Sequence, residues 1–357
     1  MTRRAGIDFD EAVIGPDDPL TTKEGWRRFV DHQPTPPELH TAVVLQQMSP
    51  RDRAGYDDAR RDYHSDLPLV DTPTIRRVIN TGRLLVQLNR HQVSARRGLI
   101  ISGASGTGKT TALTQLGRTH ERHIRKRHPR DAHRLPVVYV TVPPAATARM
   151  LAVEFARFFG LELSARANIT DVVNAVCATA AHCRVELVCV DEIHNLNLAT
   201  RAGAEVSDQL KYFAERLPAT FIYAGIDVEA QGLFAGVRGR QIAGRFTVIP
   251  ATPFAYGTTE QRETWRALVA TMEEMLRLHE HTPASLVKLD EYLYRRSGGM
   301  IGSLSQLIRG AAILAITDGA EKITRELLDT VPVDYAAEGA DNPQSSRARG
   351  ARQPVAV

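Results

Sequence analysis

The chain has 357 residues, of which 43% are hydrophobic and 24% are charged, with 45 lysines and arginines against 41 aspartates and glutamates. This composition excludes a disordered or collagen-like chain, and a formal net charge of +4 gives no general argument for nucleic acid binding. The N-terminus lacks the apolar segment of a secretory signal, and no apolar run approaches the roughly 18 residues of a membrane span. Cys177, Cys183 and Cys189 lack zinc-ligand spacing. We therefore expect a cytoplasmic protein with reduced thiols.

The first 70 residues lie ahead of any strand pattern. Residues 1–21 are acidic and contain turn-forming glycine and proline, which predicts a loop-like segment. Residues 22–70 predict an N-terminal helical extension made of short helices broken by prolines. A longer helix is expected from Thr72 to Leu88, because Thr72 suits the N-cap, Pro73 suits the first helical position and apolar side chains recur along one face.

Five short apolar runs then alternate with helical stretches, at residues 98–102, 137–142, 185–190, 220–224 and 246–249. Runs of this length, bounded by turn signals and separated by helices, predict an α/β domain with a buried parallel sheet and helices on both faces. We assign residues 71–255 to that domain and residues 256–333 to a small helical domain. Residues 334–357 show no periodicity, which predicts a disordered tail.

The first apolar run is followed by a phosphate-binding motif. Residues 103–110 fit GxxxxGK[ST], and a helix-forming stretch begins directly after them. The glycines let backbone N–H groups surround a phosphate, and the N-terminus of the following helix adds a favourable dipole. Lys109 supplies charge for the β- and γ-phosphates, and the Thr110 hydroxyl suits Mg²⁺. The predicted ATP-binding residues are Gly103, Ala104, Ser105, Gly106, Thr107, Gly108, Lys109, Thr110, Thr111 and Asp191.

Two acidic residues complete the predicted site. Asp191 and Glu192 directly follow the third apolar run. A carboxylate at the end of a strand beside the phosphate loop suits Mg²⁺, and an adjacent glutamate can orient and deprotonate the attacking water. Two acids are also common where a strand leaves the core, so this interpretation depends on the phosphate loop. We predict Mg²⁺-dependent ATP hydrolysis, with Thr110 and Asp191 holding the metal and with Lys109 and Glu192 catalytic.

Residues 191–196 resemble the second Walker motif of the AAA+ ATPases, and residues 219–225 lie where that family places its fourth strand. The resemblance implies a P-loop AAA+ fold, in which a parallel sheet flanked by helices is followed by a small helical lid domain. It also implies an arginine that reaches the γ-phosphate of a neighbouring subunit, with Arg245 as first candidate and Arg240 as second. A surface arginine, or one paired within its own subunit, is the alternative. The family's usual polar sensor residue is missing after the fourth strand, where Asp227 is a candidate.

A narrower resemblance is carried by residues 61–64, 69–75, 97–103, 191–194, 241–246 and 297–304. Over residues 22–332 these segments look like the TniB/TnsC-type transposition ATPases. The resemblance implies a protein that binds ATP, forms homo-oligomers on double-stranded DNA and recruits or regulates a DDE-type transposase. The alternatives are another DNA-associated AAA+ ATPase, such as a helicase loader or replication initiator, and a nucleotide-switched signalling or defence ATPase.

The densest basic stretch runs from residue 118 to residue 134, on the helix after the phosphate loop and just beyond it. Clustered cations neutralise DNA phosphates and release counterions. Cations at the end of a helix also complement its dipole, so a solvated helix end is an equal alternative. The candidate DNA contacts are Arg122, Arg125, Lys126 and Arg127.

Overall fold

The computed structural model describes residues 18–164, 166–196, 201–229 and 244–334, with the backbone alone at 201–204. The chain divides into two compact units. The first unit draws its described residues from 18–32, 73–105 and 109–251, and the second from 33–72, 106–108 and 252–334. The expected loop-like segment and the expected disordered tail fall almost entirely outside the described residues.

The first unit is built on a five-stranded parallel sheet, whose strands are β1 (Gly98–Ser102), β2 (Val137–Thr141), β3 (Leu187–Asp191), β4 (Thr220–Gly225) and β5 (Phe246–Pro250). Their spatial order is β2-β3-β4-β1-β5, and every pairing is parallel. All strands except β5 are buried almost throughout. This burial explains why they read as continuous apolar runs, and it confirms the predicted α/β sheet.

The helices formed by the described residues are α1 (Lys23–Asp31), α2 (Ala42–Gln47), α3 (Pro50–Ser65), α4 (Pro73–Asn89), α5 (Lys109–Arg127), α6 (Ala148–Phe159), α7 (Ile169–His182), α8 (Arg201–Arg216), α9 (Thr259–Glu274), α10 (Asp290–Ser297), α11 (Ile301–Thr317) and α12 (Arg325–Thr330). The first unit contains α1 and α4 to α8, and the second contains the others. None of these helices is both long and apolar enough to cross a membrane.

One aromatic side chain contributes to the packing of helix α1 in the sheet unit. Trp26 is fully buried and stacks on Tyr139 of β2, with ring centroids 5.8 Å apart. Its indole N–H donates to the buried carboxylate of Glu121 on α5. The sequence assigned residues 22–70 to a single helical extension, but the structure divides them, with α1 in the first unit and residues 33–72 in the second.

Within the second unit, a buried ion pair joins α3 to the connection between α11 and α12. Arg60 on α3 is 0% exposed and donates to both oxygens of Glu321, at 2.6 and 2.7 Å. A third hydrogen bond, at 2.5 Å, runs from Arg60 to Asp57 one turn earlier. Glu321 also accepts the backbone N–H of His279 at 3.2 Å. Burial raises the pKa of Asp57 and Glu321, but hydrogen bonds from Arg60 outweigh it together with those from Arg53 to Asp57 and from the His279 N–H to Glu321 and the nearby positive charges. Both pKa values are therefore lowered and the carboxylates stay charged.

His64 on α3 makes the stability of the second unit depend on pH. Its buried ring donates from Nδ1 to the Arg60 carbonyl at 2.7 Å and accepts the Arg277 N–H on Nε2 at 3.1 Å. Burial lowers its pKa from 6.5 to about 4, so the folded ring is neutral. A histidine whose folded pKa is depressed contributes stability above its unfolded pKa and loses it as the pH falls toward the folded value. We expect the free energy of unfolding of this unit to fall by about 3 kcal/mol between pH 7 and pH 4 from this residue.

Urea unfolding can be followed through the fluorescence of Trp265, which lies in the second unit, in a Trp26→Phe background that removes the other tryptophan. His64→Asn, which cannot titrate, serves as the comparison. As the pH is lowered from 7 to 4, the free energy of unfolding of the wild type should decrease more than that of the variant. Equal pH dependence in the two proteins would show that the pKa of His64 is the same in the folded and unfolded states.

Candidate active site

The phosphate loop connects β1 to α5, as its sequence predicted. Gly106 and Gly108 have φ angles of 76° and 84°, in the left-handed region that glycine adopts without strain. At Gly103 the backbone approaches the residue after β5 too closely for any side chain, since an added Cβ would lie 1.9 Å from the carbonyl oxygen of Ala251. The glycines of the motif are therefore required by backbone conformation at two positions and by packing at a third.

Lys109 and Thr110 begin α5 directly after this loop. The ammonium group of Lys109 donates to the Ala104 carbonyl at 2.6 Å. Burial lowers the pKa of Lys109, and the negative charges of Glu192 and Asp191 act in the opposite direction, as does Asp227. The structure thus brings the predicted lysine and the two predicted acids together at the carboxyl edge of the sheet. It also places Asp227, the sensor candidate, near the same lysine.

Asp191 is the last residue of β3 and is 3% exposed. Its Oδ1 accepts the N–H of Glu192 at 2.8 Å, and its Oδ2 accepts the phenol of Tyr139 at 3.0 Å. Burial, followed by the negative charge of Asp191, raises the pKa of Tyr139, so the phenol keeps its proton and donates it. Because Trp26 stacks on Tyr139, α1 supports the orientation of Asp191 through one intervening ring.

Glu192 follows Asp191 in an unusual backbone conformation, with a φ of 57° that places it in the left-handed region. One carboxylate oxygen lies 3.2 Å from Nε2 of His194. The other ring nitrogen of His194, Nδ1, accepts the N–H of Ile226 just beyond β4 at 3.4 Å. Since Nδ1 is an acceptor, the neutral ring carries its proton on Nε2 and directs it at Glu192. Sequence reasoning gave His194 no role, although it stands two residues after the glutamate.

The two predicted Mg²⁺ ligands carry oxygen donors that suit that ion. Thr110 is exposed, and each carboxylate oxygen of Asp191 accepts one hydrogen bond, which leaves lone pairs for a metal or for its water ligands. Among the described residues no group of three or more histidines, cysteines or acids is arranged to hold a metal. Mg²⁺ commonly binds through one or two protein oxygens together with substrate phosphates and water, so a sparse set suits it. Thr110 and Asp191 remain predicted ligands.

Arg245 lies one residue before β5, and its backbone carbonyl accepts the N–H of Gly98 at 3.0 Å. Its guanidinium lies 3.7 Å from Glu215, and the side chain is 37% exposed. An exposed pair at this distance holds a side chain weakly, which leaves Arg245 able to reach outward. Arg240, the second candidate, lies outside the described residues. Both remain predictions.

The basic stretch on α5 divides into two groups. Arg122 donates to the Val30 carbonyl at 2.8 Å, and Arg125 bonds Asp31 at 2.7 Å and Glu121 at 2.5 Å. These two cations therefore hold the end of α1 against α5. Lys126 and Arg127 are exposed and show no side-chain hydrogen bond or ion pair to any described residue. All four stay candidate DNA contacts, and the second group has the freer side chains.

Replacing Tyr139 with phenylalanine tests the support of Asp191. We expect ATP hydrolysis to fall by about 10- to 100-fold, the usual cost of removing a hydrogen bond to a metal-ligand side chain. Tyr223→Phe is the matched control, because Tyr223 is a buried strand tyrosine of the same sheet that makes no side-chain hydrogen bond to a described residue. Hydrolysis rates measured over a range of Mg²⁺ concentrations give the comparison. Equal rates for the two variants would contradict the assigned role.

Comparisons with known proteins agree with this fold. A family model described as "Bacterial TniB protein" matches residues 64–256. No curated protein matches the sequence. Among solved structures, the chain is similar to the Aeropyrum pernix ORC1 protein in complex with DNA, with a TM-score of 0.56 and 17% identity over 78% of this chain and 67% of that one.

Two further solved structures match this chain with similar TM-scores and identities. The ORC2 protein of Aeropyrum pernix has a TM-score of 0.57 and 16% identity, covering 78% of this chain and 71% of its own. Cdc6p from Pyrobaculum aerophilum has a TM-score of 0.51 and 14% identity, covering 82% of this chain and 72% of its own. Identities at this level establish a common fold, the AAA+ ATPase fold that the sequence predicted.

Proposed function

Since this chain belongs to the TniB family of bacterial proteins, we propose that it is a Mg²⁺-dependent ATPase that assembles on double-stranded DNA and recruits or regulates a DDE-type transposase. One observation carries the ATPase part of the proposal. The charges of Asp191 and Glu192 act on buried Lys109 beside a glycine loop of the required conformation. This arrangement can bind a triphosphate and activate water next to it.

Each residue then has a chemical task. Backbone N–H groups of the phosphate loop and the ammonium of Lys109 bind and orient the β- and γ-phosphates. Glu192 accepts the proton of the water that attacks the γ-phosphate, with its carboxylate oriented by the Nε2 proton of His194. Thr110 and Asp191 would hold Mg²⁺, which when bound neutralises phosphate charge.

Assembly is supported by the position of Arg245. It lies one residue before the outer strand β5, its side chain is partly exposed, and its ion pair with Glu215 is long at 3.7 Å. An arginine so placed can stabilise transition-state charge in a neighbouring subunit, which would make hydrolysis depend on assembly. Contact with DNA phosphates is supported by the exposed side chains of Lys126 and Arg127.

The test is ATP hydrolysis by the purified protein with and without duplex DNA, beside Lys109→Ala. We expect DNA to stimulate hydrolysis and Lys109→Ala to abolish it in both conditions. A rate of hydrolysis that is the same with and without DNA would contradict the DNA-dependent part of the proposal and favour a signalling switch. If hydrolysis is stimulated, recruitment of a co-encoded DDE transposase to DNA-bound protein separates a transposition ATPase from a helicase loader.

A further inference from the structure

A cavity of about 500 Å³ lies in the first unit at the amino ends of the strands. Helices α4 and α5 supply much of its wall, and Glu186 and Thr220, which lie at the beginnings of β3 and β4, also line it. Since the strands are parallel, this edge of the sheet is opposite the edge that holds Lys109, Asp191 and Glu192. The volume is that of a ligand site, and the predicted ATPase chemistry does not use it.

The lining of this cavity is strongly basic. It includes Arg83, Arg90, His120, His123, Arg127 and Arg134, whereas Glu186 is the one carboxylate among the described residues that line it. Arg83 lies on α4 and Arg127 ends α5, so residues 44 positions apart in the sequence converge on one space. The side chains of Arg83, Arg90 and Arg127 are exposed, and together they concentrate positive charge at the cavity, which favours an anion there.

The one carboxylate of the lining is already paired with cationic neighbours. Glu186 accepts a hydrogen bond from Arg134 and lies 3.2 Å from Nε2 of His120. Burial raises its pKa, but the combined effects of the neighbouring His120 and Arg134 outweigh burial and lower the pKa to about 2. Glu186 is therefore fully charged and fully engaged at neutral pH. Nε of Arg134 is still buried without a hydrogen-bond partner among the described residues.

Three guanidinium groups are left uncompensated. The side chains of Arg83, Arg90 and Arg127 make no hydrogen bond or ion pair with any residue that the structure describes. The pKa of His123, another residue of the lining, is lowered by burial and next by the positive charges of Arg83 and Arg127. A neighbouring histidine thus registers the surplus of positive charge in the cavity.

We propose that this cavity binds the phosphate groups of a polyanionic ligand through Arg83, Arg90 and Arg127. The planar guanidinium forms paired hydrogen bonds with phosphate oxygens, and three such groups match several negative charges rather than one. The phosphates have two possible sources, the backbone of duplex DNA and a soluble polyphosphate. The inference is independent of ATP hydrolysis, but where DNA supplies the phosphates it rests on the DNA binding of the proposed function, which already includes Arg127. Binding of tripolyphosphate tests the cavity without DNA, so the two proposals can fail separately.

The test measures binding by the full chain carrying Lys109→Ala, which weakens any phosphate binding at the nucleotide loop. One arm titrates a labelled short DNA duplex by fluorescence anisotropy, and the other titrates inorganic tripolyphosphate by calorimetry. The test variant adds Arg83→Ala and Arg127→Ala. The control adds Arg77→Ala and Arg157→Ala, which remove the same charge from exposed positions on α4 and α6 outside the cavity.

If DNA is the phosphate source, the affinity for the duplex should fall by about tenfold or more in the test variant alone. The slope of log affinity against log salt concentration should also be less steep by about 2 in that variant. Loss of tripolyphosphate binding in the test variant, with duplex binding unchanged, identifies a soluble polyphosphate. Equal affinities of test and control variants for both probes would overturn the proposal. So would equally tight, Arg83- and Arg127-dependent binding of a glutamate octapeptide, because the site would then recognise carboxylates.

Discussion

Replacing Glu192 with glutamine should lower the rate of ATP hydrolysis by about 10²- to 10⁴-fold while ATP binding persists, because that is the usual contribution of a positioned general base. Glutamine keeps the length of the side chain, and its amide oxygen can still accept the Nε2 proton of His194. It cannot take a proton from water. The variant therefore separates the base from the groups that bind phosphate, which Lys109→Ala does not.

The measurement pairs steady-state hydrolysis with equilibrium binding of a fluorescent ATP analogue. Glu162→Gln, an exposed glutamate of the same unit, controls for the loss of one carboxylate. Its rate should match that of the wild type. A Glu192→Gln protein that hydrolyses ATP at the control rate would remove Glu192 from the mechanism. Loss of both binding and hydrolysis would instead point to a structural role for its left-handed backbone position.

Replacing Arg60 with methionine should lower the free energy of unfolding of the second unit by about 3–5 kcal/mol, the range found when one partner of a buried ion pair is removed. Arg60 is 0% exposed and donates to both Glu321 and Asp57. Methionine fills similar space without charge, so the loss reflects mainly the carboxylate left behind at Glu321. Adding Glu321→Gln should recover part of the stability, since the isolated charge is then gone.

Arg61 provides a matched control one residue away. It is partly exposed and pairs with Asp58, which is 66% exposed, so Arg61→Met should change the free energy of unfolding by about 1 kcal/mol or less. Urea unfolding followed by Trp265 fluorescence in the Trp26→Phe background reports on the second unit. Equal losses for Arg60→Met and Arg61→Met would show that burial of the pair adds nothing to its strength.

Local sequence was sufficient to predict the sheet and the phosphate loop. Strands buried on both faces need continuous apolar residues, and such runs predicted all five strands to within two residues at either end. A loop that wraps phosphate needs glycine at fixed spacing because the required φ angles belong to a few consecutive residues. Asp191 and Glu192 were identified in the same way, because they follow an apolar run in the sequence, and in the structure Asp191 ends β3 and Glu192 comes directly after it.

Contacts between distant residues decided the rest. Tyr139 supports Asp191 across 52 positions, and Arg60 reaches Glu321 across 261, so neither partner marks the other along the chain. The sequence showed a basic stretch but could not divide it, because only the packing of α1 shows that Arg122 and Arg125 are engaged there.

The whole candidate site shows the same division. Local sequence predicted the α/β class, the phosphate loop and the acids beside it, because each depends on neighbouring residues and on burial of a short run. Only the packed structure shows which unit α1 and α3 join, which histidine lies beside Glu192, and that Arg83 and Arg127 line one cavity. Those features depend on the direction in which side chains from separate elements point, and that direction is set only when the elements pack.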